Sequence, residues 1–453
     1  VKRDGNLKGR AIVHTASLRG CRADKYKVLA SSSITNTAWE TGGCRPPYYL
    51  FASTNDSNLK EYETLPSIAD VFPGTYGNER SKRIGTGFVS THDDLAIAFN
   101  EDALRKKVEA FLDTSNEEEA RRQFTLCGQD QWNYANAKAA LAGGKWRDEI
   151  RTVLYRPFDE RVTVWNRHVC VHRRLEVHKH LNRDNIALLV GQAGNVVGAN
   201  EWGLAFVTRQ PADFNVFYRG GSAVLPMLLS SDGENGELFG IGAGQDGFKA
   251  NIDSQLIELL SSHLRLKLSA LDEAEKEDTY SVLDVTGYVY SILYSPTYRE
   301  RYGEFLMVDF PRIPFARRAK LFLALAQEGR QLISLHLGDT KPKVEVTFPE
   351  SGSDEIEQIL YRDPIGKTPG RVYINSEQYF SGIDPKSWAF QIGGYQVCHK
   401  WLKDRKGEQM SFGDLARYQL IVGAIAETRT RMSRIDDLIK KHGGWPIKTI
   451  TVK

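Results

Sequence analysis

No run of about 18 apolar residues occurs anywhere in the 453-residue chain, so no segment reads as a membrane-spanning helix. Cysteine is scarce and unpatterned. Cys21, Cys44, Cys127, Cys170 and Cys398 are odd in number and far apart, which fits a reducing, cytoplasmic setting better than a disulfide framework. The first residues, VKRDGNLKGR, contain no initiator Met and no apolar stretch follows, so they are not a secretory signal and read as a cut inside a longer polypeptide. Charge of one sign is also missing. The formal net charge is only +3, so any anionic partner must be met by local clusters. With 41% hydrophobic and 26% charged residues, the composition is that of an ordinary globular protein long enough for two or three domains.

Catalytic motifs are absent as well, although two stretches imitate them. Enzymes that methylate an exocyclic amino group of a DNA base use Asn, Asp or Ser before Pro-Pro-Tyr/Phe, because the first side chain must accept a hydrogen bond from the target amine. In "CRPPYYLF" (44–51) that place belongs to Arg45, which only donates, so the stretch is a proline-stiffened loop leading into a short strand. "LFGIGAG" (238–244) has the glycines of an S-adenosylmethionine loop. However, the polar "SSDGENGE" before it is no buried strand, and a flexible loop is expected.

What is present is mixed α and β. A strand is expected at 10–18 and a helix in "CRADKYKVLASS"; 59–72 has a helical pattern, and Asn100 caps a helix over "EDALRKKVEAFLD", with two more helices to about Ala142. From Glu149 the texture becomes β: "IRTVLYRPF", "RVTVW", "NIALLVG", "GLAFVT" and "FNVFY" read as short strands. Helices return over 253–271, in "TGYVYSILYS" and over 317–337. A polar stretch near 339–355 is a candidate boundary, and Ser411-Phe-Gly-Asp414 caps a long last helix.

Two basic stretches are candidates for function. In "RHVCVHRRLEVHKHLNR" (167–183) five of seventeen residues are Lys or Arg and four are His. That density suits a phosphate-contacting surface or a solvated basic face. On a strand, His168, Cys170 and His172 would share a face, and with His178 or His180 they could hold a metal. Against this, there is no paired Cys-x-x-Cys, and one strand rarely supplies three ligands. In "IGGYQVCHKWLKDRKG" (392–407), Gly393-Gly394 permits a tight bend or a close backbone approach. Tyr395 and Trp401 are either stacking faces or core anchors, with Lys400, Lys403, Arg405 and Lys406 around them.

The order of "YRPFDERVTVW" (155–165), "NIALLVG" (185–191), "YVYSILYSPTYRERYGEFLMVDFPRIPF" (288–315), "ISLHL" (333–337) and "IGGYQVCHKWLKDRKG" resembles the C-terminal specificity half of single-polypeptide restriction–modification enzymes of type ISP and the related types IIG and IIL. "LRGCRADKYKVL" (18–29), "YLFASTND" and "GTGFVSTHDDLAIAF" (85–99) are similar to the segment joining their methyltransferase core to the target recognition domain, and "CRPPYYLF" to their post-catalytic segment. The resemblance implies an α+β fold in which helical lobes flank a β-rich recognition lobe and a remnant edge of an α/β methyltransferase sheet lies at the N-terminus. Its parts would be the closing edge of the methyltransferase core (1–35), a helical connector (36–148), the β-rich recognition domain with a helical end (149–340) and a C-terminal α/β specificity subdomain (341–453).

The implied function is recognition of a duplex DNA sequence so that an adenine is methylated at N6. The candidate DNA-contacting cations are Arg156, Arg161, Arg167, Arg173, Arg174, Lys179, Arg183, Lys400, Lys403, Arg405 and Lys406. The partners implied are double-stranded DNA and upstream domains of the same polypeptide. S-adenosylmethionine and Mg2+ would be bound by those upstream domains, with no catalytic, cofactor or metal residue in this chain. The rival readings are a protein-docking scaffold of a defence complex and an autonomous metal nuclease.

Overall fold

Helix formation begins with side-chain caps. Asn100 accepts a hydrogen bond from the Ala103 N–H at 2.9 Å and starts Glu101–Asp113, whose Leu104, Val108 and Phe111 turn inward at helical spacing. Asn116 and Asn133 repeat the device for Glu117–Phe124 and Tyr134–Ala142. The three helices close over Phe111, Phe124, Trp132, Leu141 and Trp146, together with Val153 and Val164 from the antiparallel hairpin Ile150–Arg156/Asp159–Val164. The computed structural model describes residues 12–16, 18, 22–42, 56–75, 85–181, 185–191, 202–218, 221–230, 248–269 and 278–450. "CRPPYYLF", "LFGIGAG" and Arg183 lie outside the described residues.

A second, larger core surrounds a three-stranded antiparallel sheet with Ala187–Gly191 at its centre, between Ala205–Thr208 and Ser222–Pro226. Every residue of these strands is buried, which explains why they read as continuous apolar runs without alternation. Helices Val282–Tyr294 and Ala319–Leu337 pack together and against strand Ala205–Thr208. The two helices approach closely at a glycine pair, where a Cβ on Gly329 would lie 1.7 Å from the Gly287 carbonyl oxygen. The long helix Phe412–Lys441 crosses both, and starts at the expected Ser411/Asp414 capping box. Its other neighbours include helices Pro296–Arg301, Pro385–Trp388 and Val397–Lys403, and Phe380 of an antiparallel sheet of Leu360–Arg362, Arg371–Tyr373 and Tyr379–Ser381 meets its Tyr418; a hairpin Gln391–Ile392/Tyr395–Gln396 precedes Val397–Lys403. At the N-terminal side an antiparallel pair, Val13–Thr15 with Glu40–Gly42, brackets helix Arg22–Ser31. Small, mostly antiparallel sheets among helices make the fold α+β. Among the described residues no helix is long and apolar enough to cross a membrane.

Four local expectations are corrected. The pattern over 59–72 is two helices, Asp56–Glu63 and Ile68–Val71, because Pro66 lacks an N–H and a Ser67/Asp70 capping box restarts the chain. "FNVFY" is a turn: Asp213 Oδ1 accepts the Asn215 N–H at 2.8 Å, and a side-chain turn of this kind replaces strand pairing. The true third strand of the sheet is Ser222–Pro226. Over 253–271 the helix stops at Leu264, where Arg265 takes φ +58°, and Lys267–Leu268 pairs in parallel with Thr279–Tyr280. Residues 166–170 form a turn, with the Cys170 N–H donating to the Asn166 carbonyl at 2.7 Å, so His168, Cys170 and His172 are not on one strand face.

Candidate nucleic-acid interface

Three of the eleven candidate cations point into the protein. Asp159, at the turn end of the 150–164 hairpin, shares its carboxylate between two of them. Its Oδ2 accepts from Arg161 Nε and Nη2 at 3.0 and 2.8 Å, and its Oδ1 from Arg405 Nη2 at 2.8 Å. Asp404 accepts a second bond from Arg161 at 2.9 Å and pairs with Lys400. Phe99 lies under both guanidinium groups, 4.5 Å from that of Arg161 and 4.6 Å from that of Arg405. Side-chain exposure is 3% for Asp159, 10% for Arg405 and 12% for Arg161, so the pairs are largely desolvated and clamp the hairpin to helix Val397–Lys403. Arg156 is likewise bound to Asp213 at 2.8 Å, with Tyr155 and Tyr395 stacked beside it. Burial outweighs that guanidinium and pushes the Asp213 carboxyl up to about 6.

The 167–183 segment divides differently. Arg167 and Arg174 are exposed and have no carboxylate partner among the described residues. Arg173 donates to the Trp165 carbonyl at 3.2 Å, just past the open end of the hairpin, and Lys179 is half-buried. The histidines are held by the fold. His178 donates from Nδ1 to the Arg173 carbonyl at 2.8 Å, and burial lowers it to about 4. His180 Nδ1 accepts the Ser230 N–H at 3.0 Å. Cys170 is fully buried while His168 and His172 are half-exposed. Among the described residues no three His, Cys, Asp or Glu side chains gather as a metal site.

Around helix Val397–Lys403, Trp401 and Tyr395 are core anchors rather than stacking faces, 3% and 9% exposed. Both readings of Gly393-Gly394 are realised: Gly393, at φ +62°, sits in a hairpin turn, and the Gly394 N–H donates to the Phe217 carbonyl at 3.1 Å. Lys403 and Lys406 are exposed, with no carboxylate partner among the described residues. The surface cations thus flank the 150–164 hairpin, Arg167, Arg173 and Arg174 beyond its open end and Lys403 and Lys406 at its turn end. Six strand residues at about 3.3 Å each separate the ends by roughly 20 Å. What sequence reasoning missed was the acids. Asp159 and Arg161 are two apart on a strand, and Lys400 and Asp404 four apart on a helix, spacings that put each pair on one face.

The fold is similar to that of proteins solved in complex with DNA. Similar structures include an ATP-dependent Type ISP restriction-modification enzyme, LlaBIII, bound to DNA (TM-score 0.56, 15% identity, 83% of this chain and 24% of that one). A nuclease-deletion mutant of the Type ISP enzyme LlaGI in complex with a DNA substrate mimic is similar too (0.56, 16%, 95% and 38%). So is a DrdV–DNA complex (0.61, 17%, 91% and 42%). The chain therefore spans from about a quarter to about two-fifths of the length of these proteins. No curated protein sequence matches it. Residues 82–434 match the model of the Type ISP C-terminal specificity domain, and the chain belongs to that family.

Proposed function

We propose that this chain is the target recognition region of a cytoplasmic restriction–modification polypeptide. It reads a duplex DNA sequence and holds the duplex so that upstream domains methylate an adenine at N6 and discriminate modified from unmodified sites. The family match over residues 82–434 carries this reading. Arg167, Arg173, Arg174, Lys179, Lys403 and Lys406 are its phosphate contacts, fixing register while other side chains read bases. Arg156, Arg161 and Arg405 support the surface from within, their charges met by Asp213, Asp159 and Asp404, while the partly exposed Lys400 is taken by Asp404.

The upstream domains hold S-adenosylmethionine and Mg2+. Placing both upstream is supported by the described residues, whose one parallel pair of named strands is the two-residue Lys267–Leu268/Thr279–Tyr280, with no glycine loop leading from it to a helix, and which assemble no acidic trio. The N-terminal unit of 12–42 serves as the edge applied to the upstream methyltransferase core. It leaves Ile12 75%, Leu29 57% and Ile34 84% exposed, apolar surface that such a partner would cover. Selection of a randomised duplex pool by the chain tests the reading. Recovery of one enriched sequence is the expected result, and sequence-independent or absent binding overturns it.

A further inference from the structure

One ribbon projects from the C-terminal half with nothing among the described residues packed on its end. Strands Leu360–Arg362 and Arg371–Tyr373 pair in register. The ladder then continues outward, Ile365 and Thr368 exchanging backbone hydrogen bonds of 3.1 and 2.9 Å around Gly366-Lys367. Gly366 takes φ +58°, the sign that the first position of a tight hairpin turn demands. Pro364 and Pro369 stiffen the two sides. Residues 362–369 are all exposed, and Ile365 at the tip is 78% exposed.

The base is fastened as firmly as the tip is bare. The Gly382 and Ile383 N–H groups both donate to the Gly370 carbonyl at 3.1 Å, and a Cβ on Gly370 would lie 2.0 Å from the Ile383 oxygen. The Tyr361 hydroxyl donates to that same oxygen at 3.1 Å, while its ring stacks on Trp388 at 5.2 Å and 10°. Trp388 in turn meets the His399 ring edge-on at 5.9 Å. His399 belongs to the helix of Lys400 and Lys403; burial, then these two cations, hold it below its ordinary value. A continuous aromatic path therefore joins the ribbon base to the basic helix end. The ribbon carries Arg362, Lys367 and Arg371 against one acid, Asp363, and the two arginines lie over Tyr373 and Tyr379 at 4.9 and 4.2 Å.

We propose that the 362–371 ribbon enters the major groove of bound DNA, Ile365 touching base edges and Lys367 and Arg362 the flanking phosphates. A two-stranded ribbon fits that groove, about 12 Å wide, and an apolar tip there meets the thymine methyl group. The net positive charge of the ribbon matches the groove walls and makes duplex DNA its partner. This rests on the DNA-recognition reading above and adds to it the element that reads sequence.

The test compares the whole chain with its Ile365→Ala and Lys367→Ala variants on the duplex selected by the unaltered chain, and on the same duplex with uracil replacing each thymine in turn. Ile365→Ala is expected to lower affinity for the selected duplex about tenfold, the scale of one lost base contact, and to leave random-duplex binding unchanged. One uracil position should weaken the unaltered chain and leave Ile365→Ala indifferent. Lys367→Ala should reduce the salt slope by about 1. If the unaltered chain selects a sequence and both variants match it throughout, the ribbon proposal falls and the recognition reading stands. If the unaltered chain selects none, both fall. Unchanged DNA binding with loss of binding to the upstream domains makes the ribbon a protein contact and overturns the proposal.

Discussion

Asp159 is shared by two guanidiniums that have almost no access to water, so its removal leaves Arg161 with Asp404 alone and takes from Arg405 its closest carboxylate. Breaking a buried pair in this way costs about 3–5 kcal/mol, far above the contribution of an exposed pair. Asp159→Ala should therefore lower the unfolding free energy measured in urea by that amount, whereas Lys403→Ala with Lys406→Ala should stay within about 0.5 kcal/mol of the unaltered protein. The DNA readout should run the other way: the lysine pair, or Arg167→Ala with Arg174→Ala, should lower the salt slope by about 1–2, since each phosphate contact contributes about 0.9. Trp401→Ala belongs with Asp159, because its ring is buried against Tyr418 at 5.4 Å and Arg405 at 3.7 Å. Its loss should cost about 3–5 kcal/mol. From the sequence Trp401 was open between a stacking face and a core anchor, helical spacing allowing the inward turn that the structure shows. The inward turn of Arg405 was not, because its partner Asp159 lies 246 residues away in sequence.

At the scale of elements, the helices most legible in the sequence were those with side-chain caps. Asn100, Asn116, Asn133 and Ser411 each accept a backbone N–H in the first turn, a local interaction written into adjacent residues. Strands were legible as apolar runs but not as partners. "FNVFY" has strand composition, yet Asp213 and Asn215 turn it, and pairing in the sheet passes to Ser222–Pro226. The Gly287/Gly329 contact was invisible for the same reason, being set by two helices meeting. A Cβ on Gly329 would collide with helix backbone, which cannot rotate aside as a side chain can. Gly329→Ala should thus reach or exceed the roughly 1–3 kcal/mol usual for overpacking, despite the gain in helix propensity. Thermal melts of Gly329→Ala beside Ala326→Gly check this: a stabilised Gly329→Ala would mean the helices can separate without loss.

Across the whole molecule, three buried histidines sit at joints between elements and are held neutral. His92 donates to the Val169 carbonyl at 2.8 Å, His178 bonds Arg173 and Ala212, and His336 lies between Tyr290 at 2.6 Å and Thr428 of the long helix at 2.8 Å. Burial lowers them to about 4, 4 and 3 respectively, from an ordinary 6.5. With folded values below unfolded ones, their contribution is fully present above pH 6.5 and is lost as pH falls toward 4. Each loses about 1.4 kcal/mol per pH unit, roughly 4 together. Asp213 has the opposite sign: raised to about 6 from 3.8, it favours the folded state more as pH falls from 6 toward 4. One carboxyl offsets only about 1.4 of the 4 per unit, so stability should drop by nearly 3 kcal/mol per unit below pH 6. Above pH 7 it should be flat with respect to these four groups. Urea unfolding at pH 7.5, 6.5 and 5.5 measures the slope. A flat profile through pH 5.5 would mean that these imidazoles take up protons in the folded protein, and that the joints they occupy open to water without unfolding it.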